Sequence, residues 1–229
     1  MTVLRLLCYN VRSMRDDTDA LARVMTAIAP DVAIIQEAPR FLRWRSKCAE
    51  LARRAGLVQV AGGRTAGANL VLSTLAVEVL STRDIAFSAD KNLHRRGAAL
   101  AVLRLRGSQF AVAGTHLDLI EAPRIRHLHE LAAVVAGVMP ADVPLIVGGD
   151  INAVPGSATW NSLNRFGADV WTAVGDGDGF SYPSSGPVRR IDAVFADRRI
   201  TPIGAAIPDS PDIHRASDHR PLVVELELP

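Results

Sequence analysis

The chain has 229 residues, 48% of them hydrophobic and 22% charged, which fits one globular domain spanning residues 1–229 with a core large enough to need no disulfide or structural metal. Its formal charge of +2 is too small to argue for a nucleic-acid partner by itself. No apolar stretch approaches the ~18 residues of a membrane span, and the start "MTVLRLLCYNVR" is too short and too interrupted by Arg5 for a secretory leader; a cytoplasmic monomer is expected.

Strand-like and helix-like segments alternate from the first residues. "VLRLLCY" reads as a buried strand, and "DDTDALARVMTAIAP" as a helix capped by Asp17 or Thr18 and stopped by Pro30. "DVAIIQE" is a second strand, and "RFLRWRSKCAELARRAG" a helix ended by Gly56. Five strands follow in a row: "LVQVA", "NLVLST", "AVEVLST", "GAALAVLRLRG" and "QFAVAGTHL". The Gly-Ser pair in "LRGSQF" predicts a hairpin between the last two. "EAPRIRHLHELAAVVAGVMP" has helical spacing, "DVPLIVGGD" is a short buried strand, and "PGSATWNSLNRF" a loop and helix. "RRIDAVFA", "TPIGAAI" and "RPLVVELEL" complete the strands. Consecutive central strands flanked by strand–helix units predict a four-layer α/β/β/α sandwich: two packed mixed sheets with helices on both outer faces.

The informative polar residues stand at strand ends. "LRLLCYN" ends at Asn10, "VAIIQE" at Glu37, "FAVAGTH" at His116, and "PLIVGGD" at Asp150 with Asn152 two further on. Asp192 interrupts "RRIDAVF", and Asp218 and His219 open the last strand. Any one of these has an ordinary explanation as a turn or strand terminator. A whole set is harder to explain that way, because packed strands bring their ends to one rim and charges at the edge of an apolar core need a partner or a metal.

The residue types form a coherent set. Asn10, Glu37 and Asp218 are hard oxygen ligands suited to Mg²⁺ or Mn²⁺. Cys8 and Cys48 have no zinc or redox spacing and read as small buried hydrophobes. Asp150 and Asn152 could hold and deprotonate a water, His116 and His219 could donate to anionic oxygens, and Asp192 could orient an imidazole. Metal, activated water and imidazole donors together describe phosphoester hydrolysis. The basic residues are arginines apart from Lys47 and Lys91. Their clusters suit a phosphate-binding surface, although an Ala- and Arg-rich composition explains them equally well.

With those pieces in order, the sequence resembles the endonuclease/exonuclease/phosphatase superfamily, which includes deoxyribonuclease I, abasic-site endonucleases, sphingomyelinases and inositol polyphosphate phosphatases. The resemblance runs nearly end to end through "CYNVR", "DVAIIQE", "ANLVLST", "RRGAAL", "GTHLD", "GGDINAVPGS", "RRIDAVF" and "SDHRPL". It implies Glu37 as principal metal ligand with Asn10 and Asp218 in support. It implies Asp150 as water activator and Asn152 as holder of that water or of phosphate. His219 would stabilise the phosphorane with Asp192 orienting its ring, and His116 would contact a phosphate oxygen or the leaving group. Arg124 matches a position that is usually arginine; it steadies this wall of the site and touches substrate, or is a plain helix-surface residue. Arg96, with His94 and Arg95, lies in a loop that could reach substrate.

Two positions depart from the family pattern: Ala193 after the "RID" aspartate, and His127 three residues beyond Arg124. The Pro-Asn pair of abasic-site enzymes is missing from the "GTHLD" region, which leans the reading away from them. The resemblance thus implies a Mg²⁺-dependent phosphodiester hydrolase acting on DNA or RNA. Its rivals are a phosphoesterase of lipid head groups or small phosphorylated molecules, and a catalytically lapsed binding module. The loops "RDIAFSADKNLHRRG" and "GDGDGFSYPSSGPVRR" are expected to choose the substrate.

Overall fold

A period-two burial pattern builds the interior. In β1 (Thr2–Asn10), Leu4, Leu6 and Cys8 face one way into one core while Leu7 and Tyr9 face another. The chain is known from a computed structural model that describes residues 1–89 and 91–229; Asp90, within the predicted 83–97 loop, lies outside the described residues. After β1 come α1 (Thr18–Ile28) and β2 (Val32–Gln36), then α2 (Trp44–Arg54) and β3 (Val58–Gly63). A central run follows of β4 (Asn69–Ser73), β5 (Val77–Ala86), β6 (Gly97–Leu105) and β7 (Ser108–His116). Next are α3 (Glu121–Val138), β8 (Leu145–Asp150), α4 (Ala158–Leu163), β9 (Ala168–Asp169) and α5 (Val170–Val174). The chain closes with β10 (Asp192–Ala196), β11 (Thr201–Ala206), α6 (Pro211–Ala216) and β12 (Leu222–Leu228).

Among the described residues the strands form two six-stranded sheets, β11-β12-β1-β2-β4-β3 and β5-β6-β7-β8-β10-β9. Both are mixed: β1 runs parallel to β2, and β7 parallel to β8, while the other pairs are antiparallel. Three apolar layers stack. The middle one joins the sheets through residues such as Leu6, Ile34, Phe110, Val112, Val194 and Leu226. Leu7, Tyr9 and Ile35 on the outer side of the first sheet pack with Leu21, Met25 and Leu51 of α1 and α2. Ala113, Val147 and Phe195 of the second pack with Leu128, Leu131 and Trp160 of α3 and α4. The architecture is the predicted four-layer α/β sandwich. No helix of the described residues is long and apolar enough to cross a membrane.

Local chemistry accounts for the boundaries. Asp17 caps α1 by accepting from the Asp19 and Ala20 amides. The β6–β7 hairpin is present, but its turn is Arg106-Gly107, one residue earlier than predicted. Leu105 pairs with Ser108, and the two loop residues have φ of 48° and 93°, the signs that a tight two-residue hairpin requires. The helix expected over 40–56 begins only at Trp44, because Arg43 takes a left-handed conformation (φ 57°) and no side chain caps the end. The helices α5 and α6 were not foreseen. They are short and set by caps, Asp169 for α5 and Ser210 with Pro211 for α6.

Candidate active site

Register places the polar set at one edge of both sheets. In the second sheet, His116 pairs with Asp150 across β7–β8, and Asp150 with Asp192 across β8–β10, so three functional residues stand in one row. In the first sheet, Asn10 pairs with Gln36 at the parallel ends of β1 and β2, and Glu37 follows immediately. The segment leading into β12 brings Asp218 and His219 to the same edge.

The sheets come close enough here for the two halves to touch because glycines face the gap. A Cβ on Gly114 would lie 2.4 Å from Ile34 Cγ2, and one on Gly148 would lie 3.3 Å from Ile34 Cδ1, both across the gap. Packed sheets are ordinarily separated by about 10 Å. In this structure Asn10 Nδ2 of one sheet donates to Asp150 Oδ2 of the other at 3.0 Å, and also reaches Glu37 Oε1 at 3.3 Å.

Asp150 is the focus. Its Oδ1 accepts from the Asn152 amide at 3.1 Å, and its Oδ2 lies 3.4 Å from His116 Nε2 and 3.7 Å from His219 Nε2. The two imidazoles differ in charge. Burial pushes the His116 pKa down to about 3, against the pull of Asp150 and helped by the nearby Arg96 and His219. The ring is neutral, which agrees with Asn152 Nδ2 donating to its Nε2 at 3.0 Å and to the Leu117 carbonyl at 3.0 Å. Its approach to Asp150 is therefore a dipolar contact and not an ion pair. Burial alone would also lower His219, but Asp192, then Asp150 and Asp218, overcome it and raise the pKa to about 10. His219 Nδ1 donates to Asp192 Oδ2 at 2.8 Å, and the same oxygen accepts from Ser181 Oγ at 2.6 Å.

Backbone bonds hold this pair in place. Ser217 Oγ donates to the Asn10 carbonyl at 2.7 Å and accepts from the His219 amide at 3.3 Å. The 181–184 loop clasps the same segment, with the Ser184 amide on the Asp218 carbonyl (2.6 Å) and the Arg220 amide on the Ser181 carbonyl (2.8 Å). Tyr182 lays its ring 4.9 Å from that of His219.

Glu37 and Asp218 are half-buried and line a cleft of about 340 Å³ with Arg96, His116, Asp150, Asn152 and His219. Glu37 holds φ at 50°, uncommon for a residue with a long side chain and of a kind that collects at functional sites. Its segment is fixed by the Ser13 amide on the Glu37 carbonyl and the Ala38 amide on the Ala68 carbonyl, both 2.8 Å. Asn10 and Asp192 lie behind this surface, each almost fully buried. Arg96 is nearly buried, and its Nε has no hydrogen-bond partner, the nearest carboxylate being Asp118 at 4.0 Å. Arg96 is thus a loosely paired cation lining this cleft.

Arg124 steadies this wall of the site, as one of its sequence readings had it, but is neither a substrate contact lining the cleft nor a surface residue. It is buried in α3 away from the cleft: Nε donates to Thr159 Oγ1, and Nη1 faces the carbonyls of Asp118, Leu119 and Asn152 at 2.8–3.2 Å. It ties the loop after β7 to the loop after β8. The remaining histidines divide similarly. His94 lines the cleft. His127 is buried against Phe87 and the Ser88 carbonyl, His129 is exposed, and His214 pairs with Asp209 outside the cleft.

Sequence reasoning missed Arg12, Ser181, Tyr182 and Ser217. Arg12 Nε lies 3.3 Å from Asp218 Oδ2. Ser217 and Arg12 stand inside the quoted "SDH" and "CYNVR" stretches, so adjacency to a functional residue was a signal for both. Nothing in "GFSYPSS" singles out the serine that reaches Asp192.

A model of the Endonuclease/Exonuclease/phosphatase family matches residues 7–219, from the middle of β1 to His219. The chain belongs to this family. No curated protein sequence matched it. Among solved structures it is similar to an endonuclease/exonuclease/phosphatase from Bacteroides vulgatus (TM-score 0.84, 17% identity, all of both chains covered). It is also similar to a Bacteroides thetaiotaomicron mannosyl-6-phosphatase (0.82, 14%, 98% of this chain and 100% of that one). A third is D. rerio TDP2 complexed with single-strand DNA product (0.74, 18%, 99% and 100%). At these identities the likeness speaks for the fold. Membership of the Endonuclease/Exonuclease/phosphatase family makes the chain a phosphoesterase by class.

The family uses divalent metals, and the donors here fit a hard cation. Asp150, Asp192 and His219 place ligand atoms within 4.8 Å of one another, yet Asp192 and His219 already occupy each other's facing atoms, and an imidazolium has no lone pair to give. Besides Asp150, the carboxylates turned to the cleft are those of Glu37 and Asp218, while Asn10 beside them directs its Nδ2 at Glu37 and its Oδ1 at the Arg12 amide, so it ligates a cation only by turning its amide.

Proposed function

We propose that this protein is a Mg²⁺-dependent phosphodiester hydrolase acting on DNA or RNA. The observation that carries the reading is the convergence on Asp150 Oδ2 of Asn10, His116 and His219, beside the half-buried carboxylates of Glu37 and Asp218. Glu37, Asn10 and Asp218 would hold Mg²⁺ or Mn²⁺, which when bound supplies charge neutralisation at the phosphoryl and leaving oxygens. Asp150, whose Oδ1 is fixed by the Asn152 amide, takes a proton from the attacking water as the water oxygen bonds to phosphorus and the bond from phosphorus to the leaving oxygen breaks, that oxygen taking up a proton from solvent as it departs. Burial keeps His116 neutral, and Asn152 orients its ring through an amide hydrogen bond. His219, held by Asp192 and Ser181, donates to the oxygens on which charge develops. Arg96, whose Nε makes no hydrogen bond and whose nearest carboxylate is 4.0 Å away, offers its guanidinium to a phosphate.

A second reading, a phosphatase for a small phosphorylated molecule, is favoured by the size of the cleft, about 340 Å³, which lies at the lower end of small-molecule sites. One assay panel tests both, with plasmid, single-stranded DNA, RNA, sphingomyelin and inositol phosphates, with added Mg²⁺ or Mn²⁺ and with excess EDTA. Cleavage of polymers only, abolished by EDTA and restored by metal, is the expected result. Full activity in EDTA refutes the metal assignment, and hydrolysis of lipid or small phosphoesters without polymer cleavage refutes the nuclease reading.

A further inference from the structure

The catalytic cleft does not end at Glu37. A second groove of about 710 Å³ adjoins it and shares Arg40, Phe41 and His94 with it. Its walls carry Arg43, Arg64 and Arg95 together with Trp44, and among the described residues no aspartate or glutamate lines it. Arginines elsewhere on this protein are commonly neutralised, as in Arg5–Glu225, Arg23–Asp212, Arg53–Glu50 and Arg104–Glu78. Among the described residues, no carboxylate pairs with Arg40, Arg43, Arg64 or Arg95. Four uncompensated cations in one concavity create a field that selects an anion carrying several charges.

The groove also presents an aromatic face. Phe41 is 74% exposed, with the Arg40 guanidinium 5.3 Å from its ring centroid. Its loop is held by short turns, the Trp44 amide donating to the Phe41 carbonyl at 2.9 Å and the Ala38 amide to the Ala68 carbonyl at 2.8 Å. Trp44 is wedged against Gly63, where a Cβ would fall 2.2 Å from the indole. An exposed ring on an anchored loop, interleaved with arginines, is the combination that takes a base by stacking and its phosphates by charge. A flat bilayer cannot follow walls this concave, whereas a flexible strand can.

We propose that this groove binds single-stranded nucleic acid leading away from the scissile phosphate, with Phe41 stacking a base and Arg43, Arg64 and Arg95 taking successive phosphates. This rests on the reading of nucleic acid as substrate. The consequence is a length requirement: a strand long enough to fill the groove is a better substrate than a dinucleotide with the same scissile bond.

The test compares wild-type protein with Phe41→Ala and Arg43→Glu/Arg64→Glu on a strand of about 12 nucleotides, on a dinucleotide and on bis(p-nitrophenyl) phosphate. Phe41→Ala is expected to raise KM for the strand on the order of tenfold. The double variant is expected to do at least as much and to flatten the salt dependence of strand affinity by about 1.4 in log–log slope, roughly 0.7 per lost phosphate contact. Its hydrolysis of bis(p-nitrophenyl) phosphate should stay within about twofold of wild type. Unchanged strand kinetics in both variants, with wild-type strand cleavage intact, overturn the groove and leave the nuclease reading standing. A wild-type protein that hydrolyses the small diester but no strand of any length overturns both. Loss of binding to phosphatidylserine vesicles in the double variant, with strand cleavage unaffected, assigns the groove to a membrane surface and overturns the proposal.

Discussion

Replacing Arg124 by alanine separates two roles that a buried arginine near a phosphate site can play. Its Nε bond to Thr159 Oγ1 and its Nη1 contacts with the carbonyls of Asp118, Leu119 and Asn152 would all disappear. Nη1 has two protons for three acceptors, so about three effective charge-assisted bonds are lost in all. Removing a buried charged partner and leaving its acceptors unpaired costs about 3–5 kcal/mol. For a chain of this length, each kcal/mol lowers Tm by about 2–4 °C, so the expected drop is roughly 6–20 °C. The Asn152 carbonyl is released while its side chain still orients His116, so kcat is expected to fall on the order of tenfold with KM little changed. Thermal unfolding beside steady-state kinetics on a soluble diester reads both effects, and Arg124→Lys, which keeps the charge but not the fork, should fall between. A variant with wild-type Tm and a raised KM would refute this reasoning and return Arg124 to the substrate contacts that sequence alone suggested.

Asp150→Asn, nearly isosteric, should lower kcat by at least about a thousandfold while circular dichroism and Tm stay near wild type; turnover within tenfold of wild type removes Asp150 from the chemistry. Raising pH tests the His219–Asp192 pair. A folded-state pKa raised to about 10 means the pair's contribution to stability is complete below the ordinary histidine value and is lost as pH rises through about 10. His219→Gln should therefore flatten the alkaline fall in chemical-denaturation midpoint, and an unaltered fall discounts the pair. His116 acts at the other end: burial lowers its pKa to about 3, so its neutral ring costs stability as pH drops below the ordinary value toward 3. Gly114→Val should destabilise by about 1–3 kcal/mol through overpacking against Ile34, 2.4 Å from the added Cβ. It should also depress kcat by displacing β2 and with it Glu37; a stable, fully active variant contradicts the close-approach argument.

Much of the candidate site was legible because the polar residues that meet at the cleft interrupt apolar strands at their ends, where their cost makes them conspicuous. Asn10, Glu37, His116, Asp150, Asp192 and His219 all stand out against neighbours such as Leu7, Ile35, Val112 and Val147. What stayed hidden depends on distance in space. Ser181 reaches Asp192 across a loop whose composition carries no period, and sequence left Arg124 between steadying the site's wall and lying on the helix surface, a choice decided by Thr159 of α4 and the carbonyls around it. The start of α2 was misplaced for a related reason. Phe41, Trp44 and Cys48 keep helical spacing, yet Phe41 has no surface to pack on, and Arg43 breaks the helix before reaching it. The fold class, by contrast, follows from strand order and burial period and needs none of these contacts.

The two sheets each carry half of the candidate reactive set, and contacts such as Asn10–Asp150 and His219–Asp192 stitch the halves together. A nascent or partly refolded chain with one sheet formed therefore has no competent centre. Hydrolytic capability arrives with the final docking step, so recovery of turnover during refolding reports sheet–sheet association itself, and a half-made molecule is harmless to whatever phosphoesters surround it.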